Sequence, residues 1–156
     1  MVQTVNQADL EAQIQQIDHL TEHFYLYKGF DAEHFPNLDA LKELFFGEGH
    51  LIDHSFAQTM EFTLSSFIQA LMKQIESGNA DYFVQQEIAD HTQVFGTLAQ
   101  RMSVYEFSNT KNADVTWKKG ICMIQFILKE EKWLISSVIW CDESKDFKLP
   151  EAWLEF

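Results

Sequence analysis

Residues 117–142, WKKGICMIQFILKEEKWLISSVIWCD, decide how this chain folds. Two runs rich in Ile, Val, Phe and Trp, 117–129 and 132–142, flank the polar pair Glu130-Glu131. Runs of this kind on either side of a polar pair predict two antiparallel strands and a tight turn. A symmetric turn sets Gln125 opposite Ser136. Side chains alternate along a strand, so Ile121, Met123, Ile127, Leu134, Val138, Trp140 and Asp142 then share the face of that pair. The opposite face holds Cys122, Ile124, Phe126, Leu128, Trp133, Ile135, Ser137, Ile139 and Cys141. It is almost purely apolar and reads as core. The first face carries an amide, a hydroxyl, an indole and a carboxylate, and reads as a pocket wall, a dimer interface or a solvent face.

A second hairpin precedes this one: 82–92 and 97–108 flank a turn at Gly96, and the polar stretch 109–114 is a loop. A symmetric turn there places Ala99, Arg101, Ser103 and Tyr105 on one face with Ile88 and Asp90, and turns His91 the other way. Before residue 81 the period changes. Leu10, Ile14, Ile17, Thr21 and Phe24 recur at steps of four and three, which predicts a helix over 6–27 with Asn6 as its N-cap and Gly29 as its stop. Pro36-Asn37 opens a short helix over 38–46, striped by Leu38, Leu41, Leu44 and Phe45 and ended by Gly47 and Gly49. Residues 50–58 read as a short strand or irregular edge. A third helix covers 63–77, with Leu64, Phe67, Ile68, Leu71 and Ile75 on one side. Helices first and antiparallel strands after is an α+β pattern. At 156 residues without a linker or repeat, one domain over 1–156 is expected.

Several short stretches resemble nuclear-transport-factor-2-like proteins, in particular the polyketide-cyclase-like (SnoaL-like) domains. They are Glu87-Ile88-Ala89, Phe95-Gly96-Thr97-Leu98-Ala99, Ser103-Val104-Tyr105-Glu106, the run from Gly120 to Phe126, Trp133-Leu134-Ile135, Trp140-Cys141-Asp142-Glu143 and Leu149-Pro150. The helical half matches more loosely, through Tyr25 to Tyr27 and Leu41 to Phe45 leading into Gly47. The resemblance implies a cystatin-like cone: three N-terminal helices packed on a strongly bent antiparallel sheet, with a cavity and often a homodimer formed through the sheet. Two departures stand out, Cys122-Met123 where relatives tend to carry Asn-Ser, and Arg101 where they carry a small apolar residue. The fold hosts isomerases, cyclases, dehydratases and non-enzymatic binders, so it does not decide function.

Composition excludes some partners. Twenty-four Asp and Glu stand against 11 Lys and Arg, a formal net charge of −13. Such a surface repels phosphate backbones and anionic membranes, and the cluster Lys111, Lys118 and Lys119 is small. The opening residues lack a basic start and an apolar run, and no stretch approaches the ~20 apolar residues that span a bilayer, so a cytoplasmic protein is expected. Cys122 and Cys141 make no disulfide framework; on one face but diagonal, they are expected to be reduced and buried.

The candidate chemistry is sparse. Arg101 could fork onto a ligand carboxylate or phosphate, or simply pair diagonally with Asp90. His19 and His23 share a helix side but lie off the apolar stripe without a third ligand, and His50 and His54 stand too far apart for one ion, so no metal and no cofactor are expected. No Gly-x-Ser-x-Gly elbow or phosphate loop occurs. General acid–base work by Asp90, His91 or Asp142 is the enzymatic reading left. Tyr25, Tyr27, Arg101, Tyr105, Gln125 and Trp140 are the residues expected to line a pocket for a small, partly apolar molecule. A non-catalytic association module using the same open sheet face is the alternative.

Overall fold

The computed structural model describes residues 7–112 and 114–155; the expected N-cap, Asn6, lies outside them. Helix α1 spans Gln7–Tyr27, α2 Leu38–Glu43 and α3 Leu64–Glu76. The strands are β1 (Leu51–Asp53), β2 (Met60–Phe62), β3 (Val84–Phe95), β4 (Leu98–Ser108), β5 (Lys118–Lys129) and β6 (Lys132–Asp142). A single 3₁₀ turn, Glu151–Glu155, follows.

Local chemistry accounts for the element ends. Asn37 caps α2 by accepting from the Ala40 N–H, and Thr63 and Ser66 form a reciprocal capping box on α3. Helix α2 stops at Glu43, short of the expected Phe46, because the chain there bonds β6: Ile135 N–H donates to Leu44 C=O at 2.8 Å, and Phe46 N–H to Ile135 C=O at 2.8 Å. The β5–β6 turn holds Glu130 and Glu131 at φ 51° and 66°, the left-handed region that a two-residue hairpin needs.

The strands form one sheet in the order β2-β1-β6-β5-β4-β3. It is mixed rather than wholly antiparallel: β1 runs parallel to β6, pairing Asp53 with Trp140. Strand β2, absent from the sequence reading, returns antiparallel on β1. Two register shifts bend the sheet, one in β3 between Glu87 and Ala89, the other where Gln125 pairs Ser137 while Phe126 pairs Ile135.

Both shifts correct the expected faces. The extra residue Ser136 moves Gln125 from Ser136 to Ser137 and turns Val138, Trp140 and Asp142 to the side of Cys122, Ile124 and Phe126. Gln125 and Trp140 therefore lie on opposite faces. So do Cys122 and Cys141; the first is buried, the second half-buried, and both are free thiols. In β3, Glu87 takes the inward place expected for Ile88, which is exposed.

The inner face is packed by α1. Its stripe Ile17, Thr21 and Phe24 is buried, joined by Leu20 and Tyr25, and meets Leu41, Phe45, Ile124, Phe126, Ile135 and Val138. Helix α3 behaves differently. Of its apolar side only Leu64 is buried; Phe67, Ile68, Leu71 and Ile75 stay half-buried, so the helix leans over one end of the sheet without sealing it.

Candidate functional site

Beneath α3, at the end of the sheet away from the β3–β4 and β5–β6 turns, lies a cavity of about 340 Å³. That is within the range of small-molecule sites. Phe67 and Leu71, one helical turn apart, form its roof. Trp140 meets Phe67 edge-on at 6.1 Å, and Phe83 bridges Phe30 and Phe107 at 6.3 and 6.2 Å. The polar groups among this aromatic lining include Lys28, Gln85, Asp53 and Asp142.

Lys28, the first residue past α1, continues the stripe Ile17, Thr21, Phe24 by one more step of four and is buried on the same side. Phe30 then bonds Phe83 through both backbone groups, at 3.0 and 2.9 Å, which pins the segment to the sheet. Lys28 is only 8% exposed. Its Nζ donates to Gln85 Oε1 at 2.7 Å and sits 3.9 Å from the Phe24 ring centroid and 5.1 Å from that of Tyr25. Among the described residues no carboxylate lies within 4.0 Å of it. Burial pulls its ammonium down to about 8.

Asp142, the last residue of β6, accepts from the Tyr105 hydroxyl at 2.6 Å. Burial raises its carboxyl above the usual carboxylate range, and Asp53 adds to that, while the tyrosine bond opposes it. Tyr105 is fully buried and lies across Gly120, its cross-strand partner; a Cβ at Gly120 would come within 2.3 Å of the phenolic oxygen. The strand pair thus holds the hydroxyl that holds Asp142.

A second charged centre lies between α1 and β3. Arg101, 3% exposed, donates to both oxygens of Glu87, to Asp18 Oδ1 at 2.6 Å and to Thr92 Oγ1 at 2.9 Å, with Asp90 Oδ2 at 3.3 Å. Burial alone would lower its affinity for the proton, but these carboxylates outweigh that and raise it above the ordinary arginine value. Ser103 also donates to Glu87, and Tyr25 Oη and Ser103 Oγ are 2.7 Å apart.

The sequence candidates therefore divide among four places. Trp140 and Asp142 line the cavity, and Tyr105 stands directly behind it. Tyr25, Arg101 and Asp90 line the groove beside α1. Tyr27 stacks on His23 at 5.2 Å on the helix flank. Gln125 and His91 are on the outer sheet face, where the Ser137 hydroxyl donates to Gln125 Oε1 at 2.9 Å. Lys28, Gln85, Asp53 and the α3 roof were missed. For Lys28 a signal existed, since it completes the four-three-four spacing of the buried stripe.

No family model matches the sequence, and no curated protein matches it. Solved structures do match over most of the chain. A protein from Kribbella flavida superposes with a TM-score of 0.66 at 14% identity, covering 87% of this chain and 94% of that one. An NTF2-like protein of unknown function from Pseudomonas putida gives 0.65 at 10% identity, over 90% and 94%. A protein from Xanthomonas campestris, provisionally named a calcium/calmodulin-dependent protein kinase II association domain, gives 0.59 at 12% identity, over 93% and 94%. A Nostoc punctiforme protein described as having a cystatin-like fold gives 0.61 at 11% identity, over 92% and 97%. The chain has the nuclear-transport-factor-2-like, cystatin-like fold.

Proposed function

We propose that the protein binds a small, largely apolar molecule with one polar group in the cavity beneath α3. The observation that carries this reading is the half-buried roof of α3 over an aromatic cavity on which Lys28, Gln85 and Asp142 converge. Apolar walls supply affinity through burial, and a few fixed polar groups orient the ligand. In a catalytic version the reaction is an isomerisation, cyclisation or dehydration with Asp142 as general acid or base. A second reading is association through the outer sheet face. Met123 and Ile139 pair there at 49% and 47% exposure, flanked by Gln125 and Ser137, which suits a homodimer.

Native mass spectra of the freshly purified chain and of Leu71→Trp, which fills the cavity, test both readings. A discrete bound mass on the parent chain that is absent from the variant supports the cavity. An equal bound mass on both, or none on either after exposure to 3-phenylpropanol, counts against it. The same spectra report monomer or dimer, and a monomer removes the second reading.

A further inference from the structure

We propose that Lys28 forms a reversible imine with an aldehyde or ketone carried by an apolar ligand in the cavity beneath α3, a step that rests on the binding reading above. Lys28, the first residue past α1, reaches the cavity with an amide oxygen and two aromatic rings against its amine; the buried Cys122 thiol and Asp142 are the titratable groups that act on it, and among the described residues no carboxylate lies within 4.0 Å. Arg101 shows how this fold treats a buried cation kept for structure: it surrounds it with carboxylates. Lys28 has no such partner set.

The lining also favours a neutral carbonyl over an anion. Asp53 and Asp142 face the same space, so a ligand carboxylate would meet two of its own kind. An amine held in apolar surroundings is the activated form of a lysine nucleophile. With its ammonium pulled down to about 8, roughly a tenth of Lys28 is free amine at pH 7, against about one in 2,500 for an ordinary lysine.

The chemistry balances without an oxidant or reductant. The Nζ lone pair attacks the carbonyl carbon, and the C=O π pair moves to oxygen. A proton passes from nitrogen to that oxygen, giving a carbinolamine. Asp142, protonated more readily than an exposed carboxylate, gives a proton to the departing hydroxyl, which leaves as water as the C=N bond forms. It takes a proton back from the iminium nitrogen. Tyr105 positions Asp142 for this through its hydrogen bond.

The test treats the full chain at pH 7 with dilute 3-phenylpropanal and sodium cyanoborohydride, which reduces imines, and locates the label by peptide mass mapping. A phenylpropyl group is expected on Lys28 at least roughly tenfold ahead of each of the nine other lysines, with a rate that climbs as pH rises toward 8. Lys28→Met should abolish the fast label; the mapping of the parent chain decides the question even if that variant does not fold. Even labelling of the exposed lysines, with 3-phenylpropanol still bound in the cavity, overturns the imine and leaves the cavity reading standing. Absence of both Lys28 label and alcohol binding overturns the two together.

Discussion

Arg101 and Lys28 are both buried cations on the inner side of one sheet, yet their surroundings differ in kind. Arg101 faces Glu87 through two parallel bonds, with Asp18, Asp90 and Thr92 completing its shell. Lys28 has Gln85 and the faces of Phe24 and Tyr25. A guanidinium is always charged and matches carboxylates in its plane, so burial is tolerable only inside such a shell. An ammonium can shed its proton instead, and the pull on Lys28 down to about 8 is that response. The first centre ties α1 to β3 and is internally satisfied. The second faces a cavity and is not.

The largest effect that could break this contrast is removal of Arg101. Arg101→Met leaves three carboxylates crowded without their cation and should lower stability by about 3 kcal/mol in urea unfolding, the low end for a buried ion pair because Asp18 and Asp90 also reach water. A loss under about 1 kcal/mol would mean that the shell does not lock α1 to the sheet. Lys28→Met should behave oppositely at neutral pH, leaving stability unchanged or raised. The sign follows from proton linkage: Lys28 titrates lower when folded than when unfolded, so the unfolded chain holds more protons between about pH 8 and 10.5. Its contribution to stability is present above that window and lost as pH falls through about 8. Stability of the parent chain relative to Lys28→Met should therefore rise by about 3 kcal/mol across the window. A flat difference would show that the ammonium is as well accommodated as Arg101. The smallest expected effect is Gly120→Ala, about 2 kcal/mol from overpacking, since Tyr105 must leave its place over the strand. In that variant the Tyr105–Asp142 bond should loosen while the Arg101 shell, four residues nearer the β3–β4 turn on the same strand, keeps its amide exchange protection.

Much of this was legible along the chain. The bounds of β6 follow directly from alternation between Glu131 and Asp142, and the α1 stripe from its steps of four and three. The Arg101–Asp90 pair follows from hairpin register, because that diagonal lies beyond the β3 irregularity. Asp18 and Glu87 were not foreseen. One comes from a helix 83 residues away, and the other turns inward only because Ile88 is the extra residue of a bulge. Ser136 has the same effect in β6. A serine in an alternating run carries no mark that it will be skipped, yet skipping it moves Trp140 and Asp142 from the outer face to the cavity.

The sequence by itself determined the three helices, the apolar side of each and the two long antiparallel hairpins, because these depend on side-chain period and turn chemistry within a few residues. Only the tertiary structure decided which polar groups meet. The parallel pairing of β1 with β6 sets Asp53 beside Trp140, the two bulges choose the strand faces, and the lean of α3 leaves room at the sheet end. Those outcomes depend on how long-range pairing and packing share one backbone, where a shift of a single residue reverses which side a chain of side chains faces.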